Sequence, residues 1–549
     1  MGLWQFSLKE RATGETRSIT QWSSEHFQRH GRPLRIAIDQ ANWWFRNIPP
    51  EKALQIQKQS PGSHPREKRI LDRIGYLLRM NVQLVFVFDG PNKPSKIRRL
   101  SGQLYSESSL ALLKELLDQL GVPRLQAPGE AEAECARLQQ LGIVDAVWSD
   151  DSDTFMFGCT VLVQFHKLEG HDFNSEDTVL VYRADSLLSH SNLTKEGLLM
   201  HAVLVGCDYT NGLFGFGSGM LLEIAKHRGF QEAAALLASS TSNPRELNKW
   251  RAMLVSMVKD KFPNKSFPLP PNTFPDLQIL KSCARPTVSP DTKLASSVTH
   301  WFRPFGHGMV SRFKFLLDHF HSRKPRTWPA DFLVPIELNH RLRERLGSGQ
   351  DGGPDYSITE KTPIGPRKET TISVDPLLVI PELWEAFPPS WLDPRTGMKP
   401  EFKPVNVTIL DCVVQQGMPH LLEKSTKKPR GRPRKATAGA NDSNREGPAK
   451  MDSTVNRRGR SNKGAPTLSK HNGQSPVSGT MTQAATPDAT VRNKRNPEGA
   501  PVIVIDDDDE VDSGSNGGDP GETRQPYKKR KSDLSIPAGI SAIDLTEAS

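Results

Sequence analysis

Three short apolar runs constrain the fold of this chain more than any other feature. They are LRIAID (34–39), VQLVFVFD (82–89) and VDAVWSD (144–150), and segments with a helical pattern lie between them. Each run is rich in β-branched or aromatic residues and carries almost no polar residue before its end. Continuous apolar strands that alternate with helices are typical of a parallel sheet covered on both faces. The sequence therefore predicts an α/β fold with a central, mostly parallel sheet flanked by helices.

Acidic residues stand where these strands end. Asp39 and Asp89 end the first two runs, Asp151 and Asp153 follow the third, and Asp208 follows the apolar segment LLMHAVLVGC. In open parallel sheets the ligand-binding crevice lies at the carboxyl ends of the strands. A single aspartate at a strand end is more often only a turn former. Three strands that each supply an acid to the same edge predict a shared site.

The stretch APGEAEAECA (127–136) places glutamates at every second position. If residues 129–142 form a helix, its buried stripe consists of Ala131, Cys135 and Leu138. Glu130 and Glu132 then border that stripe within the first turn, where the helix dipole favours negative charge. Glu134 is assigned to a structural role or to solvent. A solvated helix face is the alternative, but the strand-end aspartates give Glu130 and Glu132 a site to join.

The resulting set holds carboxylates and neither histidine nor cysteine, a combination that favours Mg²⁺ or Mn²⁺. So many anions in one cleft would repel one another strongly unless cations neutralised them. Two divalent ions about 4 Å apart would relieve this repulsion and suit in-line attack on a phosphodiester. The seven candidate ligands are Asp39, Asp89, Glu130, Glu132, Asp151, Asp153 and Asp208.

Charge, apolar content and cysteine content indicate which kind of partner the protein binds and in which compartment it lies. A formal net charge of +10 and a pI near 9.2 favour a polyanionic partner, although composition alone does not separate nucleic acid from an anionic membrane. No run approaches the roughly 18 apolar residues of a membrane span, and the first residues lack the apolar core of a secretory signal. The 5 cysteines are dispersed without a CxxC pair, which fits a reducing compartment. We expect a soluble intracellular protein without membrane contact.

With these motifs in this order, the sequence resembles the structure-specific 5′-nucleases of the flap endonuclease and xeroderma pigmentosum group G family. The matching motifs are MG at the start, IAID, VFVFDG, APGEAEAECA, SDDSDTFMFG and VGCDY, within roughly residues 1–245. The resemblance implies a PIN-like nuclease core and two Mg²⁺ ions, for which Mn²⁺ can substitute. The implied ligands of the first ion are Asp39, Asp89, Glu130 and Glu132, and those of the second are Asp151, Asp153 and Asp208. It also implies that Lys96 contacts the scissile phosphate and that Gly2 lies at the DNA.

The segment GLFGFGSGMLLEIAK (212–226) resembles the helix–two-turn–helix element of that family. Gly215, Gly217 and Gly219 would let backbone N–H groups approach a duplex phosphate at a helix N-terminus. Ordinary helix capping is the alternative. Family members often bind K⁺ at this element, which makes K⁺ a further candidate cofactor.

The chain departs from the flap endonucleases between the FDG and APGE motifs. Those enzymes place a helical arch there, through which a free 5′ strand passes, but only 31 residues (90–120) separate Asp89 from Gly121 here. The part that precedes the next helix is too short for two crossing helices at about 1.5 Å rise per residue. Arg98 or Arg99 is the candidate substitute for the arch arginine. An ungated site suits a substrate without a free end, so the chain most resembles the fungal Holliday junction resolvases of the GEN/Yen type.

The predicted division of the chain has a nuclease core, an accessory module and a tail. The regions are 1–105 and 106–205 (nuclease), 206–261 (helix–two-turn–helix), 262–296 (proline-rich connector), 297–422 (C-terminal accessory module, chromodomain-like in some resolvases) and 423–549 (disordered basic tail). Trp384 and Trp391 are assigned to the core of the accessory module.

Two motifs in the tail predict partners. KKPRGRPRK (427–435) resembles an AT-hook, in which Arg430, Gly431 and Arg432 enter the minor groove of A·T-rich DNA; a nuclear-import signal is the alternative. PVIVIDDDDE (501–510) resembles a SUMO-interacting motif, since a short apolar strand can add to the sheet edge of another protein. Its strand residues are Val502, Ile503, Val504 and Ile505. A chance apolar cluster is the alternative.

We therefore expect a nuclear, Mg²⁺-dependent endonuclease that cuts Holliday junctions and 5′ flaps in recombination and repair, and that dimerises on a four-way junction. The first alternative is a replication-type flap endonuclease or 5′-exonuclease that acts on free ends. The second is a catalytically inactive DNA-binding scaffold.

Overall fold

The three predicted strands lie side by side in one seven-stranded sheet of the computed structural model. The strands are β1 (Glu15–Ser18), β2 (Leu34–Asp39), β3 (Val82–Phe88), β4 (Arg124–Gln126), β5 (Ala146–Trp148), β6 (Val161–Lys167) and β7 (Asn174–Arg183). Their order is β1-β7-β6-β5-β2-β3-β4. From β4 to β6 all neighbours are parallel, whereas β7 pairs antiparallel with both β6 and β1. The predicted mostly parallel α/β sheet is confirmed.

The structure describes residues 12–94, 107–171, 173–239, 244–264, 270–271, 273–302, 308–320, 327–344, 357–361, 369–386, 401–419 and 422. All of them belong to the first of two units, Met1–Thr437. The second unit, Ala438–Ser549, lies outside the described residues.

Helices surround the sheet and build most of the remaining structure. In chain order they are α1 (Ile19–His30), α2 (Gln40–Arg46), α3 (Pro50–Gln59), α4 (Pro65–Arg79), α5 (Glu107–Leu120), α6 (Ala131–Gln140), α7 (Asp153–Met156), α8 (Ala184–Ser191), α9 (Lys195–Val205), α10 (Ser218–Ala225), α11 (Arg228–Ser239), α12 (Pro244–Lys261), α13 (Leu277–Ala284), α14 (Asp291–Val298), α15 (Met309–His319), α16 (Trp328–Glu344), α17 (Pro376–Val379) and α18 (Asp411–Gly417). A 3₁₀ turn spans Pro381–Glu385. Within the described stretches, no helix has both the length and the apolar character needed to cross a bilayer.

The apolar runs are continuous because the central strands are buried on both faces. Ile36 and Ile38 of β2 enter one core together with α1, α2, α4 and α5. Ala37, between them, enters the other core together with α6, α9 and α13. Successive side chains of a strand point to opposite faces, so a strand with a core on each side requires apolar residues throughout. The two cores hold the ends of the strands in fixed positions.

The C-terminal part of the described chain contains a second sheet. Its antiparallel strands are β8 (Ser357–Lys361), β9 (Glu369–Val374) and β10 (Val405–Leu410), in the order β10-β9-β8, and α18 follows β10 directly. The helix α16 joins it to the nuclease core, since Asn339 on α16 donates to the carbonyls of Leu78 and Arg79 at 2.8 and 2.9 Å. This arrangement is a small sheet-and-helix module packed on α4.

The prediction that Trp384 lies in the core of this module is wrong. Its side chain is 51% exposed, whereas Leu383 and Ala386 of the same turn are fully buried. The 3₁₀ turn presents these two smaller residues to the core, which leaves the indole on the outer side. Trp391 lies outside the described residues.

The range predicted as a connector carries α13 and α14 and packs against α6. The backbone N–H of Ser289 donates to the fully buried Glu134 at 2.8 Å, and Arg137 pairs with Asp291 at the surface. The carbonyl oxygen of Thr287 lies 2.7 Å from the position that a Cβ on Gly129 would take, so the segment fits closely against the start of α6. Of the two roles considered for Glu134, the structural one is confirmed.

We predict that Glu134→Ala lowers the free energy of unfolding by about 1–3 kcal/mol, because it leaves the buried N–H of Ser289 without its acceptor. Urea unfolding measures the change. The control is Glu232→Ala on α11, whose side chain is 64% exposed and whose loss costs no more than about 0.5 kcal/mol. Equal effects of the two substitutions would show that Glu134 does not fix this segment.

Candidate active site

The carboxyl ends of β2, β3 and β5 bring acidic residues to one edge of the sheet. Asp39 is the last residue of β2, Asp89 follows β3, and the loop from Ser149 to Asp153 follows β5. Because β2 lies between β3 and β5 and is parallel to both, the three ends are neighbours. The predicted convergence of strand-end acids is therefore present in the fold.

Asp39 is buried and held by two donors. Its Oδ1 accepts the N–H of Asn42 at 3.3 Å, which caps α2, and its Oδ2 accepts the hydroxyl of Ser149 at 2.9 Å. Burial, followed by the charges of Glu132 and Asp89, raises the pKa of Asp39 well above its ordinary value. Asp39 thus lies within electrostatic range of acids from both α6 and the end of β3.

The side chain of Asp89, and not that of the N-cap residue, caps the start of α6. Glu130 occupies the N-cap position, but its side chain makes no capping hydrogen bond. Instead, Asp89 Oδ1 accepts the N–H of Ala131 at 3.0 Å, and the hydroxyl of Tyr209 donates to Glu130. Asp89 Oδ2 lies 2.5 Å from the ammonium of Lys93. The strand end and the helix start are therefore tied together through carboxylates.

The loop after β5 directs two of its three aspartates toward the same place. Asp151 Oδ1 accepts the N–H of Asp153 at 3.1 Å, an arrangement typical of Asx turns. Burial and then neighbouring groups led by Asp151, among them Glu132 and Asp208, raise the pKa of Asp153 well above its ordinary value. Asp150 is different, because it pairs with Arg46 and accepts the N–H of Phe165 on the other side of the loop.

Electrostatic contact connects all seven predicted carboxylates. Asp39 interacts with Asp89 and Glu132, and Asp153 interacts with Glu132 and with its two neighbours in the second predicted set, Asp151 and Asp208. Glu130 joins through Tyr209, whose pKa is raised by burial and then by the charges of Glu130, Glu132 and Asp153. The predicted acids therefore lie within range of one another's charges or of Tyr209, while their role as metal ligands stays a prediction.

The acids line a shared site but do not form a closed cage. Across the described ranges, no three histidine, cysteine or carboxylate side chains are grouped tightly enough to enclose a metal ion. Several carboxylates are engaged by protein donors instead, as with Lys93 at Asp89 and Ser149 at Asp39. The donor set nevertheless fits a hard cation, because it consists of oxygens and because Asp153 Oδ1 is buried without a hydrogen-bond partner among the described residues.

The predicted DNA-binding glycines lie on the surface at the start of α10. Gly215 has a φ of +86°, and Gly217 is the N-cap residue of α10. A Cβ on Gly219 would meet no atom within 4 Å, so internal packing does not require a glycine there. Phe214, in the same loop, is 95% exposed and has no counterpart in the sequence predictions. The loop is open to an external partner.

The other predicted binding residues lie outside the described residues. They are Gly2, Lys96, Arg98, Arg99, Arg430, Gly431, Arg432, Val502, Ile503, Val504 and Ile505.

Sequence reasoning missed the residues that orient the acids, namely Tyr209, Ser149 and Lys93. Tyr209 follows the predicted Asp208 in VGCDY, and Ser149 precedes the predicted Asp151 by two residues, so their positions carried a signal. Their partners lie 79 and 110 residues away, which local spacing does not show.

Comparison with known proteins agrees with this geometry. Residues 121–208 match the family model of the XPG I-region. The chain is 32% identical over 180 residues to the DNA repair protein RAD2 of Saccharomyces cerevisiae, covering 33% of this chain and 17% of RAD2. It is 31% identical over 210 residues to the flap endonuclease GEN homolog 1 of Mus musculus, covering 34% of this chain and 22% of the relative. The matched segments of this chain are therefore similar to those of the XPG-type nucleases.

A solved structure extends the match beyond the XPG I-region. The Holliday junction-resolving enzyme GEN1 in complex with product DNA and a Mg²⁺ ion is 27% identical, with a TM-score of 0.59, and the match covers 76% of this chain and 97% of that one. Two further GEN structures, at 26% identity and a TM-score of 0.59, hold Mg²⁺ with Mn²⁺ in one case and potassium in the other. By contrast, the chain covers only about a fifth of the length of RAD2 and of the mouse GEN homolog.

The XPG I-region contains most of the acid set. Five of the seven acids lie between residues 121 and 208, whereas Asp39 and Asp89 come from the preceding strands. The parallel strands β2 and β3 therefore bring two earlier acids to the matched region.

We predict that Asp153→Asn stabilises the protein in EDTA by about 1–2 kcal/mol, because it removes a buried charge among like charges. The native carboxyl has a raised pKa, so its penalty is absent below the unfolded pKa of about 4, grows as the pH rises from there to the native pKa, and is constant above it. The stability gap between variant and wild type should therefore widen with pH. Thermal unfolding from pH 5 to pH 8 measures it.

The matched control is Asp150→Asn, one turn of the same loop away, which loses the Arg46 ion pair and should gain no stability. A destabilised Asp153→Asn protein in EDTA at pH 8 would contradict the repulsion.

Proposed function

We propose that this protein is a Mg²⁺-dependent, structure-specific DNA endonuclease that cleaves Holliday junctions and 5′ flaps by two-metal-ion hydrolysis. The observation that carries the proposal is the network of seven carboxylates at one edge of the sheet, with the pKa values of Asp39 and Asp153 raised. The similarity to GEN1 bound to product DNA and Mg²⁺ supports it. The work of such an enzyme falls in DNA recombination and repair, and RAD2 is itself a DNA repair protein.

Within this proposal, the acids divide into two ligand groups. Asp39, Asp89, Glu130 and Glu132 would hold the first ion, and Asp151, Asp153 and Asp208 the second. Bound cations supply positive charge that activates water and stabilises the leaving oxygen. Mn²⁺ is a plausible substitute because it accepts the same oxygen ligands.

The protein's own residues fix the ligand positions before any cation binds. Tyr209 holds Glu130, Ser149 holds Asp39, and the start of α6 holds Asp89 through the N–H of Ala131. Preorganised ligands lose less conformational entropy when the substrate arrives. Lys96 is proposed to contact the scissile phosphate, as the family resemblance implies.

A branched duplex is the substrate that the surrounding elements fit. The exposed glycines before α10 would accept a duplex phosphate, with K⁺ as a candidate ligand there. Arg98 and Arg99 belong to a segment too short for a threading arch. The module of β8–β10 and α18 is proposed as a chromodomain-like accessory domain. Cutting a four-way junction requires two opposed incisions, so we propose a dimer on the junction.

The tail motifs complete the proposal. Arg430, Gly431 and Arg432 would bind the minor groove of A·T-rich DNA, and the apolar strand 502–505 would bind SUMO or sumoylated proteins. The basic segments of the tail would direct the protein to the nucleus.

We predict that Asp39→Asn reduces cleavage of a synthetic four-way junction in Mg²⁺ by roughly a thousandfold, since several kcal/mol of transition-state stabilisation depend on the cations. Junction affinity, measured without Mg²⁺, should stay within about threefold of wild type. Single-turnover gel assays with and without EDTA measure both. Asp150→Asn serves as the matched control and should keep cutting. Equal residual cleavage by wild type and Asp39→Asn would favour the inactive scaffold.

We also predict that blocking the 5′ end of a flap substrate changes the cleavage rate by no more than about threefold, since an ungated site does not thread a free end. A flap with a bulky protein on its 5′ terminus is compared with the same unblocked flap and with a four-way junction. Cleavage confined to unblocked ends would favour the replication-type flap endonuclease instead.

A further inference from the structure

A cleft of about 760 Å³ opens beside the acid network. One part of its lining, the anionic wall, consists of Glu130 and Tyr209, and another part, the cationic wall, consists of Lys281, Ser282 and Arg285, from α13 and the residue after it. Its volume lies within the roughly 300–1,000 Å³ that ligand clefts occupy. One cleft thus joins an anionic wall to a cationic one.

The cationic wall is attached firmly to the acid network. Leu280 and Cys283 of α13 are fully buried in the core that also contains α6. The thiol of Cys283 hydrogen-bonds with Cys207, which directly precedes Asp208. Close packing of Thr287 against Gly129 fixes the other end. The spacing between the two walls is therefore set by the fold.

The two cations also have defined positions on this wall. Arg285 donates through Nη2 to the carbonyl of Ser239 at 3.1 Å, which anchors one side of its guanidinium. Lys281 is half-buried and precedes Arg285 by four residues, so both lie on the same side of the helix. Guanidinium and ammonium groups on one surface match the oxygens of a phosphate.

The distribution of charge limits what can occupy the cleft. Glu130 disfavours a small anion alone, whereas Lys281 and Arg285 favour an anionic group at their end of the cleft. A polyanion with regularly spaced charges satisfies both walls, provided that cations neutralise the acids beneath one of its phosphates. A DNA strand that passes through the site has this property.

We propose that Lys281 and Arg285 bind a backbone phosphate of the cleaved strand, one or two nucleotides from the scissile phosphate, and thereby position the strand over the acids. This proposal rests on the proposed nuclease function. The two residues are positioning residues, since they would hold a neighbouring phosphate and not the scissile one.

The test pairs a protein change with a DNA change. Lys281→Gln/Arg285→Gln is compared with wild type on junctions in which a single methylphosphonate replaces each phosphate near the cut in turn. Wild type should lose about tenfold in single-turnover rate at one position, because one charged contact disappears. The single-turnover rate of the double variant should be about tenfold lower than that of wild type on unmodified DNA. A methylphosphonate at the sensitive position should lower it no further. The slope of log affinity against log salt should also fall by roughly one to two.

Two controls separate position from general charge and from folding. Lys293→Gln removes an exposed cation on α14, outside the cleft, and should leave the rate pattern and the salt slope close to wild type. Lys281→Arg/Arg285→Lys keeps both charges and should restore sensitivity to the methylphosphonate. Losses that add at every position, or a double variant that behaves like Lys293→Gln, would overturn the proposal.

Equilibrium binding without Mg²⁺ measures the coupling between the Lys281/Arg285 substitutions and the methylphosphonate in an Asp39→Asn background, where no cleavage is needed. A protein that shows the coupling but cuts no branched DNA would refute the nuclease function and support the phosphate site. A protein that cuts junctions without the coupling would refute the phosphate site alone.

Discussion

Repulsion among acids at one edge of the sheet is the constraint on which the rest of the structure depends. Asp39 and Asp153 are buried beside like charges, and the pKa of each is raised as a result. Such a cluster opposes folding unless stronger interactions hold it. The two apolar cores, one on each face of the sheet, provide those interactions. The acid cluster therefore lies where apolar burial on both faces of the sheet offsets its unfavourable electrostatic energy.

Local hydrogen bonds decide how each acid is oriented within that constraint. Asp89 caps α6, which leaves Glu130 directed to Tyr209, and Ser149 links the ends of β2 and β5 by bonding Asp39. These bonds join segments that the chain separates widely. The hydrogen bonds of Asp39, Asp89 and Glu130 therefore each fix an acid by a partner from a different part of the chain.

Features that depend on the local pattern of apolar and polar residues could be predicted from the sequence. The ends of β2 and β3 follow from the apolar runs, and the structure places them as expected. The helix α6 differs from the prediction, because it is buried on nearly all sides and not only along the stripe of Ala131, Cys135 and Leu138. The sequence did not predict that α13 forms a wall of the site, because Ser289 and Glu134 lie 155 residues apart and no periodicity links them. Trp384 was assigned to the core by residue type alone, whereas the geometry of its turn decides its exposure.

Lys93 links the binding of a cation at Asp89 to the binding of an anion beside it. Its ammonium lies 2.5 Å from Asp89 Oδ2, an oxygen that a cation at this carboxylate would need. The two positive charges repel each other, so a bound cation weakens the Lys93 pair. Under the proposed nuclease function, Lys93 would then pair with a phosphate of the bound DNA instead. Cation binding and substrate binding at Asp89 should therefore reinforce each other through one lysine.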